Sequence, residues 1–468
     1  MITYAEACLD PALFGPWFAA DTWSTWRVLD KAIFGDPLTA DELATFTALT
    51  GRDEAPAEPV GEAWFVMGRR SGKDVKAASI CAYLATIGEL RYGFTKRLAP
   101  GERGVVQLLA VDRDQAKVCL GYLKAFFERP LLKRNVEKPT ANSIELKNGL
   151  AIEVTTNDQR RVRGRTVIAV VFDEVAFWKS ENTASPDTEV YNAVRPSMAT
   201  IPNAMLLGIS SPYARRGLLW NKYRAHYGKP SARVLVAQAP TWVMNPTVPR
   251  DGDFLTEAFA EDPAAAAAEF GAEFRTDVEA LLTREAVEAV VTPGAYERAP
   301  LPGLSYFAFA DPSGGRADSY TLAIAHKEKD GLIVLDAIRE RKPPFSPEDT
   351  TAEFCQLLKA YRISRVQGDR YAGEWPREQF RKGGITYECS AKPKSDLYRD
   401  MMPLINSGKV DLLEHDRLQT QLISLERRTS RGGRDSIDHP PGGHDDIANA
   451  VAGCLVTQRR SFSLDWVS

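Results

Sequence analysis

Gly68-Arg-Arg-Ser-Gly-Lys-Asp74 follows a short apolar run, Ala63–Met67, and precedes a stretch of helical spacing over 74–90. Strand, glycine-containing loop and helix, in that order, form the context that a phosphate-binding loop needs. Gly68 and Gly72 permit a tight turn and close backbone approach, and Ser71 lies between them. Lys73 would carry charge to the β- and γ-phosphates, and Arg69 and Arg70 add two cations beside it. Two features depart from the pattern G-x-x-x-x-G-K-[ST]. The first glycine comes one residue late, and Asp74 stands where a hydroxyl would hold magnesium. The plainer alternative is a basic turn before a surface helix.

A second stretch bears on that choice. The run Val167–Phe172 is continuously apolar and ends in Asp173-Glu174. An apolar strand ending in two acids is the other half of an ATPase site: Asp173 for the hydration shell of magnesium, Glu174 to polarise the attacking water. The next apolar strand, Met205–Ile209, ends in Ser210-Ser211, placed to sense a γ-phosphate. Gly104–Val111 is a further buried strand. Strands this apolar are covered on both faces, as in a mostly parallel α/β sheet. Asn148-Gly149 between short alternating runs predicts a hairpin.

The chain has 468 residues, 44% hydrophobic and 26% charged, enough for more than one core. A net charge of −3 names no partner, so any nucleic-acid surface must be local. Six scattered cysteines without a C-x-x-C pair argue against zinc sites and a disulfide framework and suit a reducing cytosol. The N-terminus does not read as a signal peptide, and no apolar run is long enough to span a bilayer. The expected organisation is a tryptophan-containing helical segment over 1–55, the ATPase domain over 56–250, a linker region over 251–303 and a second domain over 304–468.

That second domain begins with three sequential strands, Tyr306–Ala310, Tyr320–His326 and Leu332–Arg339, which predict a mixed sheet. Asp311 ends the first strand, Asp318 precedes the second, and Asp369 follows a short strand near 363–367. Asp445 and Asp446 open an apolar helix. Carboxylates converging from separate elements suit a pair of divalent ions about 4 Å apart that activates water and stabilises a leaving phosphodiester oxygen. Asp446 and Asn449 share a helical face, whereas Asp445 points elsewhere and suits an N-terminal cap. His444 is a candidate ligand or proton carrier. Lys392, Lys394, Arg427, Arg428, Arg431 and Arg434 are candidate DNA-phosphate contacts or, equally, solvated charges.

An ATPase pair followed by three nuclease-like acids resembles the large terminase subunit of tailed bacteriophages. The resemblance runs from about Phe65 to Thr457. It rests on GRRSGKD, on RRVRGRTVIAVVFDE (160–174), LLGISSPYARRGLLW (206–220), ADPSGGRADSYTLAIA (310–325) and QGDRYAG (367–373), and most specifically on GGHDDIANAVAG (442–453). It implies a P-loop ATPase domain of the ASCE type joined to an RNase H-like nuclease domain. ATP with Mg2+ is the implied substrate of the first site, and Mg2+ or Mn2+, as two ions, the implied cofactor of the second. Implied metal ligands are Asp173, Asp311, Asp318, Asp369, Asp445 and Asp446. The resemblance also implies double-stranded DNA, a portal protein and a small terminase subunit as partners. It implies a homo-oligomeric ring, expected to be pentameric, that works in the host cytoplasm and at the procapsid portal vertex. Ser210-Ser211 fall at the coupling motif. The arginine finger is Arg69 or Arg70 in cis, or Arg163, Arg165, Arg215 or Arg216 in trans. Trp23, Trp26 and Arg27 fall where an adenine-contacting segment is expected. Asn449 replaces an aspartate of the family pattern. The rival readings are a cellular ATP-dependent repair nuclease or helicase, and a decayed terminase acting as a docking scaffold.

Overall fold

The computed structural model describes residues 2–157, 164–178, 180, 186–316, 318–369, 374–429 and 435–457. The chain divides into two compact units, with the main division in sequence falling between Thr276 and Asp277.

The first unit is built on eight strands: β1 (Glu62–Met67), β2 (Gly104–Ala110), β3 (Val136–Pro139), β4 (Ser143–Leu146), β5 (Leu150–Thr156), β6 (Thr166–Asp173), β7 (Met205–Ser210) and β8 (Val234–Ala239). Their order is β3-β4-β5-β2-β6-β7-β1-β8. All neighbours from β5 to β8 are parallel, and only β3–β4 and β4–β5 run antiparallel. The latter pair is the hairpin expected at Asn148-Gly149, where Gly149 has φ +85°. Successive β1 side chains face opposite ways and are buried on both faces. Ala63, Phe65 and Met67 join one core, and Trp64 and Val66 another. β7 lies between the strand of the phosphate loop and the strand ending in Asp173, the arrangement of an ASCE-type P-loop sheet. Because β1, β6 and β7 are parallel, the segments that follow them gather at one edge of the sheet.

The helix expected over 74–90 is broken in two, Lys73–Ala85 and Ile87–Tyr92. Thr86 leaves the helical region, and its hydroxyl donates to the Ala82 carbonyl (2.6 Å). The N-terminal helices pack on Lys73–Ala85 through a fully buried ion pair, Lys76 Nζ to Asp30 Oδ2 at 2.5 Å. Residues 251–303 are shared between the units instead of forming a connector. Helices Asp253–Glu261 and Pro263–Glu269 belong to the first unit, where Leu255, Ala266 and Phe270 form a small core. Residues from 277 onward belong to the second.

In the second unit, β9 (Val278–Ala280) and β10 (Val291–Thr292) precede β11 (Tyr306–Asp311), β12 (Tyr320–Lys327), β13 (Ile333–Arg341), β14 (Arg365–Gly368), β15 (Thr386–Cys389), β16 (Val410–Leu413), β17 (Glu426–Thr429) and β18 (Asp435–Asp438). A seven-stranded sheet has the order β10-β16-β13-β12-β11-β14-β15, and β18-β17-β9 form a small antiparallel sheet. β11, β12 and β13 are an antiparallel meander, while β14 and β15 add in parallel beside β11. Strands in the order third, second, first, fourth, fifth, with this mixture of directions, make an RNase H-like sheet. Helix Asp446–Thr457 lies against β11 and β12, and helix Pro347–Ala360 packs into the core on the other face.

Candidate active sites

The phosphate loop of the first unit is held from outside. Trp26 Nε1 donates to the Ser71 carbonyl (2.7 Å), Thr241 Oγ1 to that of Arg69 (2.7 Å) and Asn245 Nδ2 to that of Arg70 (2.9 Å). Carbonyls tied to the protein are turned away from a phosphate, as an anion cradle requires. Gly68 has no alternative, because a Cβ there would lie 2.4 Å from Thr241 Oγ1 and 2.5 Å from the Phe270 carbonyl oxygen. Gly72 takes φ +85° and starts the helix, with the Trp23 ring packed against it. Trp26 is buried and Arg27 donates to the Phe18 and Ala20 carbonyls. These side chains thus support the fold and the loop.

Lys73 is 4% exposed, and its Nζ lies 2.8 Å from Glu174 Oε1 and 4.0 Å from Asp74 Oδ1. Glu174 occupies the left-handed region at φ +49°, which turns it back from the end of β6. Its Oε2 accepts from Ser210 Oγ (3.1 Å) and the Ser211 amide (3.2 Å). Thus Lys73, Glu174, Ser210 and Ser211 are one connected group. Asp173 is completely buried. Its Oδ2 accepts from Gln115 Nε2 (2.9 Å) and Cys119 Sγ (3.5 Å), and the same Gln115 nitrogen lies 3.4 Å from Asp74 Oδ2.

Burial, then the Asp74 and Glu174 charges, push Asp173 up to about 7. Burial also raises Asp74, partly countered by Lys73. Burial acts to lower Lys73, but Glu174 and Asp74 overcome it and hold it raised. Asp173 Oδ1, Asp74 Oδ1 and Ser71 Oγ are buried without a hydrogen-bond partner. An all-oxygen set of this kind fits a hard divalent cation such as Mg2+.

The candidate arginine fingers are differently placed. Arg69 is paired with Glu269, whose carbonyl also accepts the Arg69 amide (2.6 Å). Arg70 is exposed at φ +67°. Arg165 pairs with Glu153, and Arg163 lies outside the described residues.

In the second unit the register of β11 with β14 matches Ala310 to Gly368, so Asp311 and Asp369 follow at the same sheet edge. Asn449 Nδ2 donates to both, to Asp311 Oδ2 at 2.9 Å and to Asp369 Oδ2 at 2.7 Å. Asn449 is 1% exposed and its Oδ1 is buried without a partner. Asp446 accepts from the Ser319 amide (3.3 Å), and its carbonyl accepts from Thr321 Oγ1 (2.7 Å). Burial and the Asp445 charge push Asp446 up to about 6. Burial raises Asp311 well above the carboxylate range, countered by Asn449 and reinforced by Asp369, Asp446 and Asp445. Burial also raises Asp369, against Asn449 and Lys394. The carboxylates of Asp311, Asp369 and Asp446 with Asn449 Oδ1 offer oxygen donors only, which suits Mg2+ or Mn2+.

The other expected ligands are engaged elsewhere. Asp445 Oδ2 accepts from Tyr398 (2.8 Å) and lies 3.0 Å from Lys394 Nζ, which also bonds Asp438 at 2.7 Å. Asp318 is exposed, 3.7 Å from His444 Nδ1. The cations read as DNA contacts likewise have acidic partners: Lys392 with Asp400, Arg427 with Asp435, Arg428 with Glu426. Arg431 and Arg434 lie outside the described residues. Sequence reasoning missed Gln115, Cys119, Lys394 as a counter-ion, Thr241, Asn245 and Glu269. Only tertiary contact gives these residues a role, so no local pattern marked them.

A family model described as the N-terminal P-loop domain of uncharacterized protein MJ0330 matches residues 42–272. No curated protein sequence matches the chain. Among solved structures, the HK97 bacteriophage large terminase is 15% identical, with a TM-score of 0.39, over 92% of this chain and 99% of that one. The large terminase of thermophilic bacteriophage D6E in complex with ADP is 11% identical (TM-score 0.36), over 86% and 96%. The large terminase nuclease of thermophilic phage G20c with bound magnesium is 17% identical (TM-score 0.34), over 39% of this chain and 100% of that one. The chain is similar to large terminases of phages along most of its length, with a P-loop domain in its N-terminal half.

Proposed function

We propose that the chain is an ATP-driven DNA-packaging motor subunit that also cleaves DNA. One observation carries the reading: a single chain holds a lysine–glutamate pair at a phosphate loop and, on a separate RNase H-like sheet, acids clustered at one edge.

At the first site Lys73 meets the β- and γ-phosphates and so gives up Glu174. Glu174, still oriented by Ser210 and Ser211, accepts the proton of the attacking water. Gly68–Gly72 cradle the phosphates, while Asp173 and Asp74 hold Mg2+. Arg69 or Arg70 in cis, or Arg163 or Arg165 from a neighbouring subunit, stabilises charge at the transferred phosphoryl group. Ser210 and Ser211 carry the state of the site onward to the segment after β7.

At the second site Asp311, Asp369 and Asp446 hold the metal, with Asp318 and Asp445 at its margin. Divalent ions there would lower the pKa of an attacking water and offset charge on the leaving phosphodiester oxygen. Asn449 keeps Asp311 and Asp369 at a fixed spacing. The implied partners are double-stranded DNA, a portal, a small terminase subunit and further copies of the chain in a ring, working in the host cytoplasm.

The test is plasmid cleavage with Mn2+ beside ATP turnover. Cleavage is expected in the wild type and lost in Asp311→Ala, and turnover is expected to be lost in Lys73→Ala. A wild type that neither cleaves nor hydrolyses ATP, with portal and DNA supplied, removes the reading.

A further inference from the structure

The commonest phosphate loop places a neutral hydroxyl where this chain has Asp74. A neutral ligand leaves the metal to arrive with the nucleotide, whose phosphates bring most of the negative charge. Here the charge is already in the protein. Asp74, Asp173 and Glu174 surround Lys73, and Arg69 is engaged by Glu269. Gln115 Nε2 bridges Asp74 Oδ2 and Asp173 Oδ2, which fixes the two carboxylates side by side. Each keeps its other oxygen buried without a hydrogen bond, that of Asp74 4.0 Å from Lys73 Nζ, and Asp173 is wholly inaccessible to solvent. A buried unpaired carboxylate oxygen is costly unless something cationic meets it.

We infer that Asp74 and Asp173 form a divalent-cation site that fills before the nucleotide, so that metal binding is the gate for nucleotide entry. This rests on the ATPase reading of the loop and deepens it. Three carboxyl groups beside Lys73, with Arg69 taken up by Glu269, oppose the entry of metal-free nucleotide phosphates. A bound divalent ion reverses that repulsion and bridges to the phosphates. A hydroxyl at position 74 removes one negative charge and with it the order of binding.

The experiment uses the full chain with Asp311→Ala and Asp369→Ala throughout, which removes Mn2+ held by the second unit. Mn2+ is titrated without nucleotide and free ion is read by electron paramagnetic resonance. A fluorescent ATP analogue is then titrated with Mn2+ and with chelator. Expected are one Mn2+ bound without nucleotide and an affinity at least about tenfold weaker in Asp74→Ser, as ligand charge count implies. The isosteric Asp74→Asn is expected to weaken Mn2+ binding in the same direction, so the result does not hang on one substitution. The analogue is expected to bind the Asp74 protein only when Mn2+ is present, whereas Asp74→Ser also binds it in chelator. No nucleotide-free Mn2+ binding, or equal binding in both variants, overturns the inference. Analogue binding by the Asp74 protein in chelator overturns the gate. If the analogue binds under no condition, the ATPase reading itself fails, whatever the Mn2+ titration gives.

Discussion

Asn449 decides how the second site behaves without metal. Its amide donates to both Asp311 and Asp369 and so spaces two carboxylates that otherwise repel. Asn449→Asp replaces that donor by a further negative charge. The variant is expected to need less Mn2+ for half-maximal plasmid cleavage and to melt at a lower temperature than wild type in chelator. A metal dependence unchanged by the substitution would count against a ligand position beside Asn449. Asp446 makes a pH prediction. Its folded pKa lies above its ordinary value, so the folded state binds the extra proton between about pH 4 and 6. Stability from this group is therefore present at low pH and lost as pH rises through about 6. The rise from 3.8 to about 6 corresponds to about 3 kcal/mol. In chelator, Asp446→Asn should melt above wild type at pH 8, and the gap should shrink steadily as pH falls from about 6 toward 4. Metal competes with that proton, so in wild type the Mn2+ needed for half-maximal cleavage should rise as pH falls.

At the scale of elements, the acids sit where they do because a helix is pressed onto a sheet. Gly453 allows that approach: a Cβ there would lie 2.4 Å from the Phe309 ring. Gly453→Ala forces helix Asp446–Thr457 away from β11 and moves Asp446 and Asn449 with it. The expected cost is about 1–3 kcal/mol, as for other overpacked cores, and cleavage should fall even where the variant remains folded. Denaturant unfolding and Mn2+-dependent cleavage on the same preparation check both. A variant with wild-type stability and cleavage would mean that the helix has slack. Elements of this kind were legible in the sequence, because an apolar run ending in a polar feature is a local pattern: β6 and β11 end in acids, β7 ends in Ser210, and β1 runs into the glycine-containing loop. Strand order was not legible, since nothing local states that β7 separates β1 from β6 or that β14 returns beside β11. The three-stranded sheet β18-β17-β9 joins segments nearly 150 residues apart, and its short polar strands carry no alternation to announce it. The same holds for Gln115, whose place between Asp74 and Asp173 depends on a helix crossing, while the acids it joins stood out by their strand and loop context.

At the scale of the whole molecule, each hydrophobic cluster lies within one unit: those around Phe65 and Trp64 in the first, those around Phe309 and Ala308 in the second. Cores that share no residues need not unfold together, so a single two-state transition is not expected for this chain. Ligands then act as labels for the units. Glu174→Gln keeps Lys73 and the loop but removes the carboxylate that accepts a proton, so it should bind ATP with Mg2+ and hold it unhydrolysed. At about a hundred times the dissociation constant, bound ligand adds about 2.7 kcal/mol to the unit that holds it. For a unit of this size that corresponds to a rise of about 5–10 °C. Scanning calorimetry of Glu174→Gln should therefore show one transition moving with ATP and Mg2+ and another staying in place. In Asp311→Ala the second transition should also lose its response to Mn2+. One transition moving as a whole in every case would mean that the two cores unfold as a single cooperative body.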